Sequence, residues 1–215
     1  MGLKVNEIFY SIQGESTYAG YPCVFVRLTG CNLRCSYCDT QYAYDEGQEL
    51  DTEEIIKQVE TFQCPLVEIT GGEPLLQKET PSLVQQLCDK NFTVLMETNG
   101  SLNIDLVDKR CIRIMDIKCP SSGESHRNDL ANLDRLTTSD EAKFVIGNKE
   151  DYKFAKAILF RIRAAHGRNN PVHFSPVFGK QDFRELAQWM LDDHLDAKLH
   201  LQLHKIIWGT EATGV

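Results

Sequence analysis

Short apolar runs and longer amphipathic stretches take turns along this chain, and that alternation sets the expectation for the fold. Residues 23–28 (Cys-Val-Phe-Val-Arg-Leu) suit a strand, as do 66–70, 92–97, 112–117, 143–146 and 171–175. Between them, apolar residues recur at helical spacing. Asp51 precedes the first such stretch, with Glu54 at the capping-box position and Ile55, Ile56, Val59 and Phe62 on one face. Thr80 reads as an N-cap before Pro81, with Leu83, Val84, Leu87 and Cys88 as the buried stripe. Further helices are expected near 126–137, 149–166 and 181–194. Residues 198–204 alternate strictly and read as a last strand, with Lys198, His200, Gln202 and His204 on its polar face.

Repeated β–α units imply a mostly parallel sheet. About six strands fall short of a closed eight-stranded barrel, so the expected fold is α/β, an incomplete TIM-like barrel, in a single domain spanning 1–215. Chemistry in such folds collects at the C-terminal ends of the strands. Polar punctuation sits there: a cysteine-rich loop after 23–28, Thr70-Gly-Gly-Glu-Pro74 after 66–70, and Glu97-Thr-Asn-Gly100 after 92–97.

Composition narrows the function. A net charge of −8 argues against a nonspecific nucleic-acid binder, which carries clustered positive charge, but leaves small anionic substrates open. No apolar run reaches the roughly 18 residues of a membrane span. Residues 1–7 lack the apolar core of a secretory signal, so the expected setting is the cytoplasm.

Eight cysteines are present. Cys23, Cys64, Cys88, Cys111 and Cys119 lie scattered in apolar segments and read as small buried hydrophobes rather than disulfide partners. Cys31, Cys35 and Cys38 are different, packed as C-x-x-x-C-x-x-C behind Gly30, which allows a sharp entry to the loop. A structural zinc normally takes four protein ligands. Three soft thiolates suit an iron–sulfur cube that leaves one iron open. A zinc-type module completed by Cys23 or Cys64 is the nonenzymatic alternative.

The spacing resembles the signature of the radical S-adenosylmethionine superfamily, and Gly71-Gly-Glu-Pro74 resembles its second, glycine-rich motif. Within it, Asn6-Glu-Ile-Phe9, Ser11-Ile-Gln-Gly-Glu15, Phe25-Val-Arg27, Cys38-Asp-Thr40, Glu97-Thr-Asn-Gly100 and His204-Lys-Ile-Ile-Trp-Gly209 look like the 7-carboxy-7-deazaguanine synthase family. The resemblance implies a [4Fe–4S] cluster on Cys31, Cys35 and Cys38, with S-adenosylmethionine on its open iron and cleaved to a 5′-deoxyadenosyl radical. It further implies that the radical takes hydrogen from carbon 6 of 6-carboxy-5,6,7,8-tetrahydropterin. The ring then contracts with loss of ammonia, and the radical returns to the cofactor. Tyr37, Cys38, Asp39, Gly72, Glu73, Asp116, Lys118 and Ser175 are the expected cofactor contacts, although Asp116-Ile-Lys118 stands where the family often has Ser-Pro-Lys.

For the substrate, Arg27 offers a planar fork to the carboxylate. The Ile12-Gln13-Gly14-Glu15 segment can read the edge of the pterin, with Thr70 and His204 as further contacts. Thr40 matches the family's Mg2+ position, with Asp39 the chemically obvious alternative. The terminal residues through Val215 are expected to tuck into the active site. A flavodoxin or ferredoxin as reductant and a homodimer are implied as well. A glycyl-radical activase shares the cysteine spacing and is the alternative enzyme.

Overall fold

The computed structural model describes residues 2–210 and 212–215. Among the described residues nine strands form one open sheet: β1 (Leu3–Ile12), β2 (Pro22–Leu28), β3 (Gln48–Leu50), β4 (Leu66–Gly71), β5 (Thr93–Thr98), β6 (Ile112–Asp116), β7 (Glu141–Ile146), β8 (Val172–Pro176) and β9 (Lys198–Leu199). Their order is β3-β1-β2-β4-β5-β6-β7-β8-β9. From β2 to β9 every neighbouring pair is parallel, and β1 and β3 add an antiparallel edge. Among the described residues β3 and β9 do not pair, so the barrel is incomplete although it has more strands than the six expected.

The helices are α1 (Thr52–Thr61), α2 (Thr80–Asp89), α3 (Lys149–His166), α4 (Phe183–Asp192) and α5 (Leu203–Trp208). The capping box on α1 is present: Glu54 N donates to Asp51 Oδ1 (2.8 Å) and Asp51 N to Glu54 Oε2 (2.9 Å). Ile55, Ile56 and Val59 face the core below it. α2 begins one residue earlier than expected. Glu79 holds the cap position, and the Thr80 hydroxyl turns back to the Pro74 carbonyl instead (2.6 Å).

The antiparallel β1 and β3 lie outside the sequence expectation, and two expected elements form differently. Residues 126–137 form short 3-10 turns, not an α-helix. Asn and Asp side chains there bind backbone groups and compete with helical bonds. Asn132 Nδ2 donates to the Gly100 and Leu102 carbonyls (3.0 and 2.7 Å), and Asp129 accepts from Ala131 N (3.1 Å). The fully buried Arg113 reinforces this, donating to the Asp140 carboxylate (2.5 Å) and to the Ile104 and Arg135 carbonyls. The alternating run 198–204 is a strand only at Lys198–Leu199. Leu203 N then donates to the Gly14 carbonyl (3.0 Å), the chain leaves the sheet, and His204 enters α5 rather than a strand face.

Strand β1 carries the segment that closes the bottom of the barrel. It runs antiparallel to β2, so Gln13 and the residues after it emerge at the N-terminal end of the parallel strands. Thr17 then reaches β7, where its backbone N–H donates to Glu141 (3.0 Å). Among the described residues no helix is long and apolar enough to cross a membrane.

Candidate active site

The cysteine loop leaves the end of β2 and is pinned on both flanks. Arg34 N donates to Glu124 Oε1 and Ser36 N to the Ser122 carbonyl, both at 3.0 Å, which fixes the loop to the turns after β6. On the other flank Asn99 Nδ2 donates to Asn32 Oδ1 (3.1 Å) and lies 3.9 Å from Cys31 Sγ. Gly72 approaches from β4. A Cβ there would stand 2.7 Å from the Cys31 Cβ and clash with the Gly30 carbonyl, so this close approach requires glycine.

Cys31, Cys35 and Cys38 all face one cavity of about 380 Å3 over the C-terminal strand ends. Of the residues singled out from sequence, Ile12, Gln13, Gly14, Glu15, Arg27, Tyr37, Asp39, Thr40, Thr70, Gly72, Asp116, Lys118, His204 and Val215 line the same space. Glu73 and Ser175 do not. Glu73 is fully buried behind Gly72, accepting from Leu75 N, Asn99 N and the Thr98 hydroxyl (3.0, 2.7 and 2.9 Å). The buried Ser175 hydroxyl has no partner among the described residues. Cys23 and Cys64 meet at the opposite end of the sheet, where Cys64 Sγ lies 3.4 Å from the Pro22 carbonyl at the start of β2, so neither completes the cysteine cluster.

The radical SAM superfamily model matches residues 25–191. The 7-carboxy-7-deazaguanine synthase of Chlorobaculum tepidum is 47% identical, over 99% of this chain and 97% of the relative. The one from Koribacter versatilis is 43% identical, over 99% and 100%. The chain belongs to the radical SAM superfamily and, within it, to the 7-carboxy-7-deazaguanine synthase family. The fold agrees with the crystal structure of QueE from Escherichia coli, with a TM-score of 0.78 over 94% of each chain at 20% identity. It is therefore an enzyme with a [4Fe–4S] cluster and S-adenosylmethionine as cofactors, acting on a small molecule.

The radical SAM cysteine loop fits such a cluster. Among the described residues no group of three or more His, Cys, Asp or Glu side chains is arranged to hold a single metal ion. A cube asks its three thiols only to ring a shared space, and this cavity wall offers that. Burial raises the Cys31 thiol and pushes Cys35 up to about 11, with Lys118 pulling both back down. Iron binding at these thiols would therefore release protons.

The opposite wall is a buried charge cluster. Lys143 Nζ, from the middle of β7, lies 2.8 Å from Glu15 Oε2 and 3.5 Å from Asp116 Oδ2, and also bonds Glu97. Asp116 Oδ2 is shared with Lys118 Nζ (2.8 Å). Glu15 Oε1 accepts from Gln202 Nε2 (2.9 Å), and the Gln13 amide donates to Glu68. Burial, then the like charges of Glu97 and Glu15, push Glu68 up to about 8, so it is mostly protonated at neutral pH. Burial also holds His204 below the usual imidazole range, against the pull of Glu15. Arg27 Nε is held by Glu7 (2.7 Å), with the guanidinium beside the Phe9 and Tyr42 rings. Asp39 accepts from the Thr40 hydroxyl (2.9 Å) and pairs with Lys205 (2.5 Å).

Sequence reasoning passed over Lys143, Glu68, Glu97, Gln202 and Lys205 as site residues. Lys143 and Glu68 did carry a signal: each is a charge inside a largely apolar parallel strand, Lys143 two residues after Glu141.

Proposed function

We propose that this chain is the radical S-adenosylmethionine lyase that converts 6-carboxy-5,6,7,8-tetrahydropterin to 7-carboxy-7-deazaguanine, a step toward queuosine and related 7-deazapurines. The observation that carries it is a single cavity. The cysteine loop faces Gln13, Glu15 and Arg27 across it, in a chain 47% identical over almost its full length to a synthase of that name.

Cys31, Cys35 and Cys38 would hold the [4Fe–4S] cluster, and Gly72, Tyr37, Asp116 and Lys118 would border the cofactor. Glu73 acts from behind, fixing the Gly72 edge through Leu75, Thr98 and Asn99. When bound, the cluster and S-adenosylmethionine supply a hydrogen-abstracting 5′-deoxyadenosyl radical. The remaining tasks belong to side chains. The Arg27 terminal nitrogens pair with the substrate carboxylate, since Glu7 engages only Nε. Glu15 accepts from the amino-pyrimidinone edge, and Gln13 and Thr70 complete its hydrogen bonds. Glu68, held by the Gln13 amide and pushed up to about 8 by burial and its carboxylate neighbours, would be the proton donor to a leaving amine. Thr40, oriented by Asp39, offers a hard oxygen to Mg2+, with substrate oxygens and water filling the shell. Ala212, Thr213, Gly214 and Val215 line the cavity and would keep water from it. A flavodoxin or ferredoxin as electron donor, a homodimer and a cytoplasmic setting complete the reading.

The test is anaerobic turnover: reduced, reconstituted protein with S-adenosylmethionine, Mg2+ and the carboxytetrahydropterin. Mass spectrometry should find 7-carboxy-7-deazaguanine. Cofactor cleavage with an unchanged pterin, alongside copurification of a large partner protein, would favour a glycyl-radical activase instead.

A further inference from the structure

Lys143 is a charge where an apolar residue would be expected. Its side chain, 4% exposed, projects from the middle of β7 into the barrel. Burying an ammonium is costly unless it is paired and hydrogen-bonded. Three carboxylates surround it: Glu15 from the loop after β1 and Glu97 from β5 accept its hydrogen bonds, and Asp116 from β6 stands 3.5 Å away as a further ion pair.

We propose that Lys143 is the positioning residue of the substrate-reading edge, holding Glu15 in place and in its ionised, hydrogen-bond-accepting form. This rests on the pterin reading above. An amino-pyrimidinone edge presents adjacent N–H donors, and a carboxyl that carries its own proton would set donor against donor. Lys143 bonds Glu15 Oε2 and Gln202 bonds Oε1 (2.8 and 2.9 Å), which fixes the carboxylate plane. Each oxygen keeps a further lone pair for the substrate.

The groups around Glu15 show why the ammonium is needed. Glu97, Asp116 and Glu68 face the same space from β5, β6 and β4, and Asp39 faces it from the cysteine loop. His204 of α5 and His200 are the nearby imidazoles, both depressed by burial. Burial alone would raise Glu15, yet Lys143 first and His204 second hold it well below the usual carboxylate range. Without the ammonium, desolvation and the neighbouring Glu97 and Asp39 carboxylates would favour the protonated form.

The experiment compares cluster-loaded wild type with Lys143→Met, Lys143→Arg, Glu15→Gln and the Glu15→Gln/Lys143→Met double variant, reading KM and kcat for the pterin from about pH 6 to pH 9. Lys143→Met should raise KM roughly 100-fold, with a smaller fall in kcat. Its excess KM should shrink as pH rises and Glu15 ionises, while Lys143→Arg restores most of the affinity. In the Glu15→Gln background, Lys143→Met should add no more than about threefold. A Lys143→Met KM within about threefold of wild type, a KM ratio flat with pH, or additive effects in the double variant would overturn the inference.

Should the methionine variant not hold its cluster, infrared spectroscopy of wild-type protein with 13C-labelled glutamate, differenced against Glu15→Gln, reads Glu15 directly. A carboxylate band persisting near pH 4, where an ordinary glutamate is about half protonated or more, supports the inference, and its loss overturns it. Wild-type protein that neither binds nor converts the pterin removes the substrate reading and this inference together. Wild-type turnover with an unaltered Lys143→Met variant removes this inference alone.

Discussion

Lys205 Nζ stands 2.5 Å from Asp39 Oδ2, so the last helix is tied to the residue directly after the third cluster cysteine. The pair links α5, and with it the cavity-lining residues near the C-terminus, to the loop that would hold iron and magnesium. Asp39 is about half exposed, its side chain at 46%, so the pair contributes no more than about 1 kcal/mol. Lys205→Met should therefore raise the pterin KM only about two- to fivefold, leave iron content unchanged, and make residues 203–215 easier to proteolyse. Steady-state kinetics and timed proteolysis followed by mass spectrometry check both effects.

The cysteines divide sharply by position. Cys31→Ala, Cys35→Ala or Cys38→Ala should abolish the brown colour after anaerobic reconstitution and stop S-adenosylmethionine cleavage. Cys23→Ala and Cys64→Ala should keep both, because those thiols sit at the far end of β2 and β4. Iron analysis and visible absorbance decide the matter. Loss of the cluster in Cys23→Ala or Cys64→Ala with the fold intact would reopen a four-thiol site.

Gly72 has no room for a methyl group, since a Cβ would meet the Gly30 carbonyl and the Cys31 Cβ at once. Gly72→Ala must displace backbone, not a flexible side-chain end. The variant should fold, since the contact lies at the cavity rim rather than in the core. Cofactor cleavage should fall by about two orders of magnitude, in line with the cost of a misplaced reactive group. A cleavage assay with the pterin omitted isolates this effect from substrate binding.

Glu68 makes stability depend on pH. Its folded pKa, about 8, lies above the value of 4.5 for an unperturbed glutamate, so the folded state binds more protons between those limits. Its contribution is fully present below about pH 4.5 and is lost as pH rises through about 8. The local slope approaches roughly 1.4 kcal/mol per pH unit. Glu68→Gln keeps a hydrogen-bonding partner for Gln13 and removes the titration. Thermal melts from about pH 5.5 to 8.5 should fall with pH in wild type and fall less in the variant.

Much of this was legible in the chain. Short apolar runs marked β2 and β4 to β8, and the capping box marked α1, because local hydrogen bonding and burial there act in the same direction. The cysteine spacing pointed to the loop, since three thiols have few other uses at that separation. The helix expected at 126–137 failed because Asn132 bonds the Gly100 and Leu102 carbonyls and the buried Arg113 takes the Arg135 carbonyl, contacts invisible to periodicity, while Asp129 closes a local turn on Ala131. The strand expected at 198–204 failed for a related reason. Alternation matched an edge strand, but Leu203 is captured by the Gly14 carbonyl. Lys143 was passed over because its meaning lies in three carboxylates from distant parts of the sequence.

The most direct measurement uses pterin deuterated at carbon 6, with the reduced enzyme and limiting S-adenosylmethionine. If the cysteine loop and the Gln13–Glu15–Arg27 wall serve one radical reaction, product will exceed cofactor consumed and deuterium will appear in the recovered S-adenosylmethionine. Stoichiometric cofactor loss to 5′-deoxyadenosine, with the deuterated pterin recovered intact, would contradict the account.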